Sequence, residues 1–314
     1  MSDQQNWERS VLEKLAMNAI QEQRRARHWS IFFKVLTFGY LFIVLALFMG
    51  WTGKADTTLS SGKHTALVEL NGVISSGSAA NSERLIGSLQ AAFKHKDTQA
   101  VLLRSNSPGG SPVQSGYVND EIRRLRAKYP NIPIYAVVED MCASGCYYIV
   151  AATDKIFVNK ASLVGSIGVL MDGFGFTGAM GKLGVERRLI TAGENKGFMD
   201  PFAPINPVHQ EHVKKMLEEI HQQFINVVKQ GRGKRLKEET GVFSGLIWTG
   251  QKSIDMGLAD EMGSVESVAR DVVKAEDIVD FTEHENFSER LAKRLGAGMA
   301  SALGLVNNAD FSLR

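Results

Sequence analysis

The stretch IPIYAVVEDMCASGCYYIVAATDKIFV, residues 132–158, decides the fold. Ile132–Val138 is apolar and rich in β-branched residues, as a buried strand requires. Small residues from about 144 to 152 suit a short helix, and KIFV at 155–158 reads as another strand. Between strand and helix stands Ser144, within Met141-Cys142-Ala143-Ser144-Gly145-Cys146-Tyr147-Tyr148. A residue that closes a strand and opens a helix is surrounded by backbone N–H groups lacking an intrahelical partner. Such groups can stabilise the oxyanion formed when a carbonyl is attacked. The position equally suits an ordinary N-cap serine, and the local pattern leaves both roles open.

The same alternation extends in both directions. Upstream, HTALVEL at 64–70 predicts a strand that turns at Asn71-Gly72 and can resume at Val73–Ile74. A helix is expected over 81–94, with Leu85, Leu89 and Ala92 or Phe93 as its buried stripe. AVLLR at 100–104 predicts a second strand. It runs into Ser107-Pro108-Gly109-Gly110, either a plain turn or a backbone that lets a substrate approach closely. Val118, Ile122, Leu125 and Tyr129 recur at helical spacing over 115–129, and Pro130 stops that helix. Downstream, Pro207 opens a helix over 207–230 with Val213, Met216 or Leu217, Ile220, Phe224 and Val227 or Val228 on its apolar face. Glycines at 250, 257 and 263 punctuate a turn and helix pair over 249–272. Strand, turn and helix repeated in this way predict a layered α/β domain.

Composition narrows the function. The 314 residues are 44% hydrophobic and 22% charged, so a packed core is expected. Net charge is +2, and the basic runs near the start and at 229–237 carry no interleaved aromatics. No nucleic-acid partner is expected. Two cysteines, Cys142 and Cys146, are too few for a disulfide framework or a thiolate zinc cage, though they can oxidise locally in an oxidising compartment. No HExxH occurs, and neither metal nor cofactor is expected.

Residues 31–50, IFFKVLTFGYLFIVLALFMG, form an apolar run with one charge, Lys34, near its start. As a helix it would span about 30 Å, the thickness of a bilayer core. Trp29 and Trp51 bracket it at the positions of interfacial aromatics. Arg24, Arg25, Arg27 and Lys34 lie on its N-terminal side, against Lys54 alone close by on the other. Positive residues stay cytoplasmic, so the run predicts an uncleaved single-pass anchor, N-terminus inside, with the main domain extracytoplasmic. A cleaved signal and a buried core helix are the alternatives. The expected organisation is a cytoplasmic segment at 1–30 (helix or disorder), the anchor at 31–50, a linker at 51–63, the main domain at 64–275 and a tail at 276–314. In the tail Phe287, Leu291, Leu295, Met299 and Leu303 suggest an amphipathic helix.

A serine nucleophile needs a base. The histidines are His28, His64, His95, His209, His212, His221 and His284. None stands in a glycine-rich or strand-end setting that announces catalysis. Lysine can serve if dry surroundings keep it neutral. Lys196, in Thr191-Ala192-Gly193-Glu194-Asn195-Lys196-Gly197, is a candidate, although a loop lysine on the surface fits the same residues.

Together these segments resemble the signal peptide peptidase A (SppA) family in its short, single-protease-domain form. Ser107-Pro108-Gly109-Gly110 looks like its first glycine motif. Ala143 to Tyr148 resembles its S-G-G-Y-Y nucleophile motif, and Leu163-Val164-Gly165-Ser166-Ile167-Gly168-Val169 its T-G-S-I-G-V segment. Gly193 to Lys196 resembles its G-x-x-K motif. Trp248-Thr249-Gly250 with Gly257-Leu258-Ala259-Asp260 is similar to its W-T-G…G-L-V-D element. The resemblance spans about residues 64–272.

It implies a ClpP/crotonase-like spiral of repeated β-β-α units behind one transmembrane helix. It also implies a serine endopeptidase with a Ser144–Lys196 dyad, cleaving apolar peptides such as remnant signal peptides. By the same resemblance, N–H groups of Gly110 and Gly145 form the oxyanion hole, Ser166 orients the lysine, and a homo-oligomer can share active sites between subunits. Cys146 departs from the pattern, which has glycine there. A crotonase-like acyl-thioester enzyme and a non-catalytic membrane quality-control scaffold are the other readings.

Overall fold

The computed structural model describes residues 2–48, 62–237 and 240–284. They form two units, one a single helix and the other an α/β domain. The helix, α1 (Ser2–Phe48), is unbroken over 47 residues. It therefore includes the N-terminal segment, for which the sequence allowed helix or disorder. Ile20–Ala46 within it is long and apolar enough to cross a membrane, and none of its most apolar window is buried in protein. Side chains such as Phe38 and Val35 are exposed, as lipid-facing residues are. Trp51, most of the linker and the expected tail helix, from residue 285 on, lie outside the described residues.

The domain is built on one eight-stranded sheet. Its strands are β1 (His64–Asn71), β2 (Thr98–Ser107), β3 (Ile134–Ala143), β4 (Lys155–Val158), β5 (Leu163–Gly165), β6 (Ile247–Thr249), β7 (Glu261–Met262) and β8 (Ile278–Asp280). The main order is β6-β5-β3-β2-β1-β8, all parallel except β6 against β5. β3 changes partner along its length. Tyr135–Val138 pair with β4, which in turn pairs with β7, while Met141–Ala143 pair with β5. The exposed Glu139 and Asp140 mark the switch. This is why β3 runs to Ala143, five residues beyond the expected end. Its last three residues find a ladder in Leu163–Gly165, a run too short to read as a strand. β8, from beyond the expected domain boundary at 275, lies beside Thr65–Leu67 of β1.

The expected helices form, and their caps explain their starts. Asn81 accepts from the Arg84 N–H to open α2 (Ser82–Lys94), and Ser111 does the same for Gln114 at the head of α3 (Pro112–Lys128). The short α4 (Gly145–Val150) follows β3 directly. A further helix, α5 (Thr177–Leu183), buries none of its side chains, which is why no apolar stripe announced it. Asn206 and Pro207 begin α6 (Pro207–Arg232), and α7 (Gly250–Asp255) follows β6. Leu85, Leu89, Ala92 and Phe93 of α2 join Val118, Ile122 and Leu125 of α3 in the larger core. Along β2 the pleat alternates faces. Val101 and Leu103 enter that core, and Leu102 enters a smaller one with Leu67, Val137 and Phe157.

One buried ion pair ties three of these elements together. Arg232, at the end of α6, is fully buried and donates two hydrogen bonds of 2.8 Å to Asp260 and one of 2.8 Å to the Gly257 carbonyl. Asp260 also accepts from the Ile156 N–H of β4 at 2.7 Å. Tyr147 of α4 donates to the Leu258 carbonyl of the same loop at 2.7 Å. Burial opposes ionisation of Asp260, but the hydrogen bonds and charge of Arg232 outweigh it, so the carboxyl titrates below its ordinary range.

Replacing Arg232 by leucine should cost about 3 kcal/mol in denaturant unfolding, since Asp260 loses its two-bond partner and keeps only the half-exposed Arg235 at 3.2 Å as a counter-charge. A carboxyl depressed on folding contributes stability that is complete above its unfolded pKa of about 3.9 and is lost as pH falls through the folded value. Unfolding curves between pH 7 and pH 2 should therefore show Asp260→Asn less stable than wild type near neutrality and flatter in acid.

Candidate active site

Parallel strands deliver their C-terminal ends to one edge, and the predicted motifs after β2 and β3 meet there. At the end of β3, Ala143 pairs with Gly165 and the Ser144 N–H donates to the Gly165 carbonyl at 2.9 Å. The chain then turns sharply, with Ser144 at φ 53°, ψ −122°. A non-glycine residue at positive φ costs on the order of 1–3 kcal/mol and persists only where its surroundings enforce it. The Ser144 carbonyl accepts from the Tyr148 N–H at 3.0 Å, which starts α4. Ser144 thus takes the N-cap position, but its hydroxyl makes no capping hydrogen bond. Of the two roles open from sequence, the capping one is unused.

The glycine loop closes on this turn. Gly109 accepts from the Ile74 N–H at 2.9 Å, and the Ser107 hydroxyl accepts from the Gly109 N–H at 3.1 Å. A Cβ on Gly109 would lie 2.6 Å from both the Ala143 oxygen and the Gly145 nitrogen, so only glycine allows this approach. A Cβ on Gly145 would lie 2.5 Å from the Ser115 hydroxyl oxygen and 3.2 Å from the Gly110 nitrogen. Among the described residues, the N–H groups of Gly110 and Gly145 donate to no backbone carbonyl. Two unspent donors therefore flank the half-buried Ser144 side chain, the arrangement that oxyanion stabilisation needs.

Cys142 and Cys146 are joined by a disulfide, with Cα atoms 5.2 Å apart, and both are fully buried. The ring they close is small, so the chain-entropy gain for the whole fold is only about 2 kcal/mol.

Ser144 lines two clefts. The larger, about 540 Å³, also has Gly110 and Gly145 on its wall, with Tyr117, Asp120, Tyr148, Ile220 and Phe224 around it. Tyr148 and Phe224 pack with ring centroids 5.1 Å apart, joining α4 to α6. Phe224 and Ile220 were legible as an apolar helix face; their place beside a serine from another element was not. The smaller cleft, about 370 Å³, holds Ser144 with Ser166, Leu170 and Ser244. Ser166 also has positive φ, 50°, and its N–H donates to the Leu246 carbonyl at 2.8 Å.

Lys196 stands apart. It lies in a turn closed by its own N–H to the Gly193 carbonyl at 3.1 Å, is exposed, and lines neither cleft. Neither cleft has a lysine or histidine on its wall. His64 is buried against His95 with ring centroids 4.8 Å apart, and His209 and His212 pack on Phe198. The structure thus brings Ser144, Gly110, Gly145 and Ser166 together within one chain and leaves Lys196 outside. Residues 171–196 are exposed almost throughout, including Phe174, Leu183 and Ile190 at 81%, 78% and 96%. Among the described residues no group of three or more His, Cys, Asp or Glu could hold a metal.

The chain is similar to several known proteins. The family model for peptidase family S49 matches residues 126–296, more than half of the chain and a span containing Ser144, Ser166 and Lys196. A candidate signal peptide peptidase SppA of Enterococcus faecium is 29% identical over 273 residues, covering 82% of this chain and 79% of that protein. A Brucella melitensis protein named Na(+)/H(+) antiporter NhaA is 41% identical over 209 residues, 65% of this chain, and the chain spans only 28% of that protein's length. A solved membrane-bound stomatin-specific protease aligns with a TM-score of 0.39 at 12% identity, covering 72% of this chain and 96% of that one. With a long apolar helix at its N-terminal end and a serine presented on a strained turn, the chain belongs to peptidase family S49, the SppA-type serine peptidases.

Proposed function

We propose that the chain is a membrane-anchored serine endopeptidase in which Ser144 is the nucleophile and Lys196 the base. The observation that carries this is the Ser144 turn: an uncapped hydroxyl at positive φ, flanked by the free N–H groups of Gly110 and Gly145, opening into a mainly apolar cleft. Lys196, as a neutral amine, takes the proton from the Ser144 hydroxyl as its oxygen attacks a peptide carbonyl. The N–H groups of Gly110 and Gly145 receive the oxyanion. The protonated lysine then gives its proton to the leaving amine, and a water activated by the same amine releases the acid. Ser166 holds that amine, a role supported by its place on the wall of the second cleft with Ser144.

The lysine comes from a neighbouring copy. Support for this is the exposed position of Lys196, its absence from both clefts, and the bare apolar side chains along 171–196. Exposed apolar surface of this extent marks an interaction site. The partner switch of β3 supports assigning the domain to the ClpP/crotonase-like spiral class. Tyr148, Phe224 and Ile220 favour apolar peptides, of which remnant signal peptides are the class nearest a membrane anchor. The basic N-terminal flank favours a periplasmic catalytic domain and a cytoplasmic N-terminus in the inner membrane.

On a fluorogenic apolar peptide, Ser144→Ala and Lys196→Ala should each stay folded and lose at least about 10³-fold in kcat. Turnover near wild type in either would remove that residue from the mechanism. Co-expression of the two inactive variants should restore about a quarter of the sites if the lysine is donated between subunits of a closed ring, and none if it acts within one chain. Gly145→Ala, which drives a Cβ against Ser115 and Gly110, should lower kcat about 10²-fold with little change in KM.

A further inference from the structure

Ser144 is the middle residue of a covalent ring. Cys142 lies two residues before it on β3 and Cys146 two residues after it on α4, and their bond closes a loop that contains Ser144 and Gly145. We propose that this disulfide positions the nucleophile and its oxyanion donor, so that the site is competent only when the two cysteines are joined. The proposal rests on the reading of Ser144 as nucleophile given above.

The placement of the bond is the first support. The ring takes in the hydroxyl that attacks and one N–H that receives the charge, while the sulfurs line neither cleft and so touch no substrate. The second is the backbone itself. Ser144 sits at φ 53°, a conformation serine leaves when it is free to. Rotation toward negative φ would carry the hydroxyl and the Gly145 N–H away from the Gly110 N–H. A closed ring removes that freedom.

The third is the weakness of the other restraints. On the strand side the turn is held by the Ser144 N–H to the Gly165 carbonyl, at the end of a three-residue ladder. On the helix side it is held by α4, which is six residues long. A helix that short has little stability of its own. Ser144 adds no side-chain cap to it. The bond spans the junction of these two short elements.

The fourth is burial. Both sulfurs belong to the larger core, among Val164, Ile149 and Val150. Two thiols in the same space would still fill it, so breaking the bond loosens the turn without emptying the core. In making the bond, the two cysteine thiols give two electrons and two protons to the disulfide of an oxidising dithiol partner, which leaves as two thiols. A chain synthesised in a reducing compartment therefore carries a slack nucleophile until it meets such an oxidant.

The test uses the full chain in detergent micelles, oxidised, treated with dithiothreitol, reoxidised with oxidised glutathione, and as the Cys142→Ala/Cys146→Ala variant. Three quantities are read: phosphonylation of Ser144 by a fluorophosphonate, kcat and KM on the peptide, and hydrogen exchange across residues 62–284. Reduction should slow phosphonylation and kcat about tenfold or more, leave KM within about twofold, and raise exchange at 141–150 alone. Glutathione should restore the rate, and the double variant should be slow and indifferent to either reagent. A double variant that reacts at the wild-type rate overturns the proposal. So does a loss accompanied by faster exchange throughout the domain, which would mark a general structural staple. Peptide cleavage absent in every state would instead defeat the peptidase reading, and the exchange at 141–150 would still decide the brace.

Discussion

A serine held at positive φ is the constraint on which the domain turns. The conformation aims a hydroxyl outward from the end of a buried strand and swings the next N–H beside it, but it is uphill for any side-chain-bearing residue. It survives because neighbours press on it from several sides: the Gly165 carbonyl, the first turn of α4, the Cys142–Cys146 bond and the backbone of Gly109. Parallel pairing supplies two of these. β2 and β3 run in the same direction, so the glycine loop after one and the serine turn after the other arrive at the same edge without long connections.

Much of this was legible in the residues. Helical spacing, with Pro130 and Pro207 as punctuation, located α2, α3 and α6 to within a few positions because each buries one face; the Ser111 and Asn206 caps emerged only from the structure. β5 and β6 were not legible as strands, because three residues carry no period. They exist because the end of β3 offers them a ladder. The positive φ of Ser144 and Ser166 left no local signal either. Serine gives no hint of left-handed backbone, and only the motif resemblance singled out both. The apolar face of α6 was read correctly as packing, yet Ile220 and Phe224 of it line the cleft beside Ser144. Residue pattern reports what is buried or sheltered, and it does not report against what.

Lys196 shows the opposite limit. Its motif was recognisable, yet within one chain it is displayed to solvent on a segment whose leucines, isoleucine and phenylalanines are displayed with it. α5 is a helix that buries nothing of its own. Within the chain, Phe176 stacks on Phe202 and Arg187 pairs with Asp200, but Phe174, Leu183 and Ile190 stay bare. The proposed neighbour would cover those side chains and bring the amine to the serine in a single event, so that assembly and activation coincide.

β8 has a bearing on how the domain may be handled. It borrows only three residues from far down the chain, but they lie against β1, which would otherwise be the last strand of a parallel sheet. A fragment cut at residue 275 would keep every residue of the Ser144 turn and both clefts. It would also leave β1 with a bare row of amides and carbonyls along an apolar strand. Such a margin recruits other strands. A trimmed domain would then fail in solution by clumping, through a seam far from its chemistry, and its insolubility would say nothing about the integrity of the serine.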